Sequence, residues 1–283
     1  MAIVTISRGC FSHGQEIAGG VAAKLGYECI SQELLLEASQ FFHVPEKKLF
    51  ESLHDAPGYL ERITHARQRF IDGFRATLLE NVIRDKVVYH GFAGQILLQG
   101  IAHVFKVRVI ADMEERIRLL QSRKRIAREA ALALIQHEDH ERAEWYRSLY
   151  RIDVNDPGLY DIVIHIDRLT IDDACDIVCQ AAVGKRFMTT SQSQSALADL
   201  AVESRVKLVL DNICKGDVAC RDGIVHIRVQ GQKLKSAGIA SPDVKQQVRD
   251  RIRGDLYDNI IAAVSKVPGV KDIDCSIDTP YYV

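Results

Sequence analysis

The chain has 283 residues, 47% of them hydrophobic and 27% charged, with 37 Lys and Arg against 38 Asp and Glu. That length suits one larger and one smaller domain, and a formal net charge of −1 speaks against a dedicated nucleic-acid binder, whose phosphate contacts need an excess of clustered cations. No apolar run approaches the roughly 20 residues that span a bilayer, the start is not ordered like a signal peptide, and the seven cysteines form no C-x-x-C pair, so a cytoplasmic protein with reduced thiols and no membrane partner is expected.

From Met1 to about Lys185, short apolar runs alternate with long helical patterns. Strands are expected at Ile3–Ile6, Tyr27–Ile30, Val87–His90, Val104–Ile110 and Ile162–Ile166. Most are apolar throughout, as strands covered on both faces should be. The first helix is expected from about Gln15 to Leu25, stopped by Gly26, a natural residue for the left-handed position after a helix. Pro45 and Pro57 suit first helical turns. Glu61–Arg84 and Met113–Tyr150 are amphipathic, the second broken near Ser122 to Arg128, and Thr170 with Asp173 forms a capping box that opens Ile171–Val183. Alternation of this kind predicts an α/β fold with a parallel sheet flanked by helices.

Gly184 to Ser195 is polar and without period, which reads as a linker. Beyond it come a helix over Leu197–Ile213, a hairpin turn at Asp222-Gly223, the strand Ile224–Val229, a helical region from Ser241 to about Lys266 that Gly254 would divide into two pieces, and a last strand, Lys271–Ile277. The expected organisation is therefore an α/β domain over 1–185, a linker over 186–198 and a small α+β domain over 199–283. Neither part is a basic tail: 13 Lys and Arg stand against 12 Asp and Glu from Asp199 onward, leaving 24 and 26 before it.

The strongest chemical signal lies at the first strand-to-helix junction. Gly9-Cys10-Phe11-Ser12-His13-Gly14 has the G-x4-G frame of a phosphate-binding loop, in which backbone N–H groups curl around phosphate oxygens and the next helix presents its positive end. The side chains depart from the full motif, with Gln15 where Lys would reach the terminal phosphates and Glu16 where Ser or Thr would hold Mg2+. Arg8 and His13 are the cationic candidates within the loop. The frame by itself also fits a plain tight turn.

The wider sequence resembles the cytidylate kinase-like family. The residues that carry the likeness are Ile3 to Arg8, Ser12-x-Gly14-x-Glu16-Ile17-Ala18, Leu25-Gly26-Tyr27, Glu33-Leu34-Leu35, Val87 to Gly94, Val104 to Ala111 with Glu115-Arg116, Asp139 to Ala143, and Tyr160 to His165. The likeness covers about residues 1–183. It implies ATP and Mg2+ as cofactors, an acceptor nucleoside monophosphate such as CMP, and lid arginines that close over the transferred phosphoryl group. By position, the nucleotide-binding residues would be Ser7, Arg8, Gly9, Cys10, Phe11, Ser12, His13, Gly14, Gln15 and Arg116, and the catalytic ones Arg8, Arg123, Asp139 and Arg142, with Asp139 and Arg142 as the lid D-x-x-R pattern. No protein-held metal site is implied. The family commonly has a Gly-Arg pair where this chain has His90-Gly91, and often an acid where Ser31 stands. Two readings stay open: a kinase, or a catalytically degenerate nucleotide sensor.

The C-terminal part resembles a BON-type domain through Asp222-Gly223-Ile224-Val225 and Val267 to Ile273. Such domains are associated with membrane or ligand contact, but no basic patch supports a membrane role here, so a regulatory or oligomerisation module, or a contact for a protein partner, is expected. Other constellations have plain readings. His137 and His140 fit a solvated helix face, as does the basic run Arg123-Lys124-Arg125 with Arg128. Cys175 and Cys179 fit buried thiols at i, i+4, and Tyr59, Phe70, Phe74 and Trp145 fit packing.

Overall fold

In the computed structural model the described residues are 2–31, 64–234 and 241–282. They fall into two units, one of residues up to 68 with 80–193, the other of 69–79 with 194–283. The helix expected at Pro45 and Pro57, together with Tyr59, lies outside the described residues.

The first unit is built on a five-stranded, all-parallel sheet of β1 (Ile3–Arg8), β2 (Glu28–Ile30), β3 (Val87–His90), β4 (Val104–Ala111) and β5 (Ile162–Ile166), in the order β2-β3-β1-β4-β5. The apolar character of these runs has its reason in the core. Val4, Ile6, Val88, Val107, Val109 and Ile164 pack against Ile17, Ala18 and Val21 of α1 (Gly14–Leu25), and Ala174, Cys175 and Val178 of α6 (Ile171–Ala182) complete the cluster. Gly20 lets α1 and α6 approach, since a Cβ there would stand 2.6 Å from Cys175 Sγ. Gly26 ends α1 at φ 66°, and Thr170 and Asp173 form the expected capping box of α6.

Between β2 and β4 lie α2 (Thr64–Val82) and the short α3 (Gly94–Leu97). After β4 the chain makes α4 (Met113–Lys124) and α5 (Arg128–Tyr150), broken where the sequence suggests, with Arg125 left-handed at the join. These two helices share a small core of Ile117, Leu120, Ala131 and Ile135, against which Phe11 packs. Trp145 packs on Phe92 and Tyr146 with ring centroids 5.1 and 5.3 Å apart. β1 connects toward β2 and β4 toward β5, so the crevice between their carboxyl ends is where a sheet of this kind receives a ligand.

The second unit holds α7 (Ser191–Leu210), β6 (Gly216–Arg221), β7 (Ile224–Val229), β8 (Lys233–Leu234), α8 (Pro242–Val264), β9 (Asp272–Ile277) and β10 (Tyr281–Tyr282). β6 and β7 are antiparallel and β9 joins β7 in parallel. One sheet face, with Val225, Ile227 and Val229, packs on Val202, Val206, Leu210, Leu256, Ile260 and Val264 from the two helices. α7 starts six residues earlier than Leu197, because Thr190 caps it by accepting from the Ser193 N–H at 3.1 Å. α8 runs through Gly254 unbroken. No described helix is long and apolar enough to cross a membrane.

Candidate functional site

The loop between β1 and α1 is held at both ends by β4. Gly9 N–H donates to Val109 O at 3.0 Å, and the buried Ser12 hydroxyl donates to Gly9 O and Val109 O at 2.9 and 3.1 Å. Phe11 and His13 take positive φ of 55° and 61°, a conformation that normally selects glycine and costs other residues about 1 kcal/mol or more. His13 is the last residue before α1, and no side chain caps that helix. The open N–H groups of the first turn therefore carry the positive end of the helix dipole into the crevice.

Four arginines converge on this loop, and their partners sort them. Arg116, on α4 and almost fully buried, donates from Nε to Cys10 O and from a terminal nitrogen to Asp139 Oδ2, both at 2.7 Å. Asp139 Oδ1 in turn accepts from Cys10 N–H at 3.3 Å. The Arg116–Asp139 pair thus grips both polar groups of one loop residue. Arg123 forms an ion pair with Glu16. Arg142, on α5, donates to Arg8 O at 2.7 Å and lies 5.1 Å from the Phe92 ring centroid.

Arg8 and Arg142 pair with no carboxylate among the described residues. Burial first, and then the Arg142 guanidinium, lower the pKa of Arg8 below the ordinary arginine value. Glu16 and Glu138 act on Arg8 more weakly than Arg142 does, and two neighbouring cations without ion-pair partners make a receptor for an anion. His13 is different: its Nε2 is 3.2 Å from Glu115 Oε1 and its Nδ1 3.9 Å from Glu16 Oε1, so carboxylates already face it. Gln15 is exposed on the first turn.

Cys10, at the centre of the loop, is 1% exposed. Burial pushes its thiol up to about 12, with Asp139 adding to the rise and Arg142 opposing it. Since the thiolate is the nucleophile, iodoacetamide at pH 8 should leave Cys10 untouched while the exposed Cys29 is alkylated. Mass spectrometry of the native chain checks this, and equal labelling of the two would show that the loop does not hold Cys10 as described.

Behind the loop lies a buried polar cluster that sequence reasoning did not single out. Arg108 of β4, 5% exposed, donates to Ser7 Oγ at 3.3 Å, to Tyr160 Oη at 3.2 Å and to Asn155 Oδ1 at 2.7 Å. Gln95 donates to the same tyrosine hydroxyl at 3.3 Å. The available signal was an arginine that, with Lys106, interrupts an otherwise apolar strand, since a buried charge needs such partners. Ser7 therefore lies in this cluster at the end of β1.

Gly91, where the resemblance leads one to look for arginine, is closed off. A Cβ there would stand 2.4 Å from Tyr89 Oη, and the buried Tyr89 hydroxyl donates to Phe92 O at 2.9 Å. No group of three or more acidic, His or Cys side chains suited to a metal ion occurs among the described residues, and His137 and His140 are exposed.

Comparison with known proteins agrees with the fold. The chain is 26% identical over 171 residues to a cytidylate kinase of Thermoplasma volcanium, covering 57% of this chain and 87% of that protein. It is 26% identical over 159 residues to a cytidylate kinase of Thermoplasma acidophilum, covering 53% and 82%. Among solved structures, an uncharacterized protein from Eubacterium ventriosum superposes with a TM-score of 0.52 at 16% identity, over 65% of this chain and all of that one. The sequence model of the cytidylate kinase-like family matches residues 3–168, more than half of the chain, and the chain belongs to that family, with the parallel-sheet P-loop kinase fold.

Proposed function

We propose that the N-terminal unit binds a nucleoside triphosphate at the 9–14 loop and transfers its terminal phosphoryl group to a nucleoside monophosphate, CMP or a close relative, releasing the diphosphate of each. The observation that carries this reading is the pair of guanidiniums, Arg8 and Arg142, that form no ion pair with a described carboxylate, beside an uncapped helix start. Phosphoryl transfer rests mainly on positioning and on neutralising charge at the transferred group, and both needs are met by arginine forks and fixed backbone N–H groups. In this reading Arg116 and Asp139 hold the shape of the loop, Arg123 is released from Glu16 as the lid engages phosphate, and Arg142 stabilises the transferred charge.

ATP fits these residues by charge and by the open N–H groups. Mg2+ would arrive with the phosphates, with Glu16 as the carboxylate nearest the helix start, and would neutralise phosphate oxygens there. The BON-like reading of the C-terminal unit is favoured by its order of helix, hairpin, helix and strand. It makes that unit a candidate for self-association or for a protein partner, while the seven free cysteines favour a cytoplasmic protein.

One observation favours the second reading, a nucleotide sensor without turnover: the Asp139 carboxylate already accepts a loop N–H. The full chain with ATP, Mg2+ and each monophosphate in turn decides between them by chromatography of the products. A diphosphate product whose formation falls on the order of 100-fold in Arg142→Ala supports the kinase. Binding without product for any acceptor supports the sensor.

A further inference from the structure

In a full phosphate-loop motif the lysine follows directly on the glycine that turns the loop into the helix. That turning residue is glycine because it needs positive φ. In this chain the residue in that conformation immediately before α1 is His13, at φ 61°. The first helical residue, from which the lysine would reach, is therefore Gly14, one place before Gln15.

Gly14 has no side chain, and the space is filled from elsewhere. An ideal Cβ on Gly14 would stand 2.6 Å from both Cβ and Cδ of Arg8 and 3.1 Å from its Cγ. The aliphatic stem of Arg8 thus lies across the Cα of Gly14. The stem's near end is fixed by β1, so it cannot swing away cheaply. Beyond the stem the guanidinium feels the charge of Arg142, which donates to the Arg8 carbonyl, and no described carboxylate pairs with it, while Arg116 and Arg123 each have one.

Resting on the nucleotide-binding reading above, we infer that Arg8 is the phosphate-binding cation of this loop. It reaches from the strand before the loop into the place of the missing lysine, and Gly14 is glycine to admit it. The two positions then form one device. A cation from residue 8 requires no side chain at 14, and a cation from 14 requires no long side chain at 8. Gln15, exposed on the outer side of the first turn, is not the vacancy.

Calorimetric titration of the full chain with Mg-ATP tests this, each variant being checked by its thermal melt. Arg8→Ala should weaken binding about 30-fold, the loss of one charge-assisted contact. Gly14→Ala should weaken it to a similar extent by displacing Arg8, and the double variant should be no worse than either single one, because the second change has nothing left to remove. Gly14→Lys added to Arg8→Ala should restore most of the affinity, whereas Gln15→Lys added to Arg8→Ala should restore little. Wild-type affinity in a folded Arg8→Ala, or losses that multiply, would overturn the inference and leave nucleotide binding standing. No binding by the wild type would overturn both.

Discussion

Arg116→Ala is expected to destabilise the N-terminal unit by about 2–3 kcal/mol, an unfolding midpoint lower by several degrees. The arginine is 8% exposed and satisfies the carbonyl of Cys10 while pairing with Asp139. Removing it strands a loop carbonyl and leaves a half-buried carboxylate beside a loop N–H with no counter-charge. Asp139 remains partly exposed, so water recovers some of the loss and the full cost of a broken buried pair is not reached. A melt monitored by circular dichroism, paired with Arg116→Lys, checks it. Lysine can supply the charge but not the fork that serves both acceptors, and should recover less than half of the loss. An unchanged midpoint in Arg116→Ala would mean that the pair does not brace the loop.

Gly91→Ala should cost about 1–3 kcal/mol, and Gly91→Arg at least as much. Gly91 and Gly94 flank the Tyr89 ring, where added Cβ atoms would lie 2.4 Å from its Oη and 2.6 Å from its Cδ1. The ring is 1% exposed, and its hydroxyl is tied to Phe92 O, so it has no room to turn. Restoring the family's arginine by a single substitution should therefore damage the fold before it could serve an acceptor. In a Tyr89→Phe background the closest contact is removed, and the cost of Gly91→Ala should fall by about 0.5 kcal/mol or more. Equal costs in both backgrounds would show that Tyr89 is not the obstacle.

These sites also mark where the sequence could and could not be read. β1 and β3 were legible because they are covered on both faces and so are largely apolar, β7 because its one buried face alternates with an exposed one, and Val87–His90, Ile162–Ile166 and Ile224–Val229 have the bounds the residues suggest. The capping box at Thr170 was legible because both of its bonds are local. The start of α7 was not, because Ser191 to Ser195 show no apolar period and the Thr190 cap resembles linker composition. Gly254 suggested a break in α8, but a Cβ there would meet nothing, so the position is merely unfilled surface.

At the candidate site, the loop and its arginines were visible as residue types in a known order. Their division into paired and unpaired cations was not. Arg116 and Asp139 are 23 residues apart, Arg123 and Glu16 are 107 apart, and Arg142 reaches the Arg8 carbonyl across 134. Only the folded arrangement of β1, α4 and α5 decides which arginine spends its charge on a carboxylate and which keeps it for a ligand. The same holds for Gly14, whose value lies in an absent side chain and in the neighbour that fills its place.

Titration of the full chain with Mg-ATP at two salt concentrations decides whether this loop, with Arg8 and Arg142, is a nucleotide phosphate site. Saturable binding at one site is expected, weaker at higher salt because charge drives it, and reduced at least tenfold in a folded Arg142→Ala. Absence of saturable binding by ATP and by every other nucleoside triphosphate, in a chain that melts cooperatively, would contradict it.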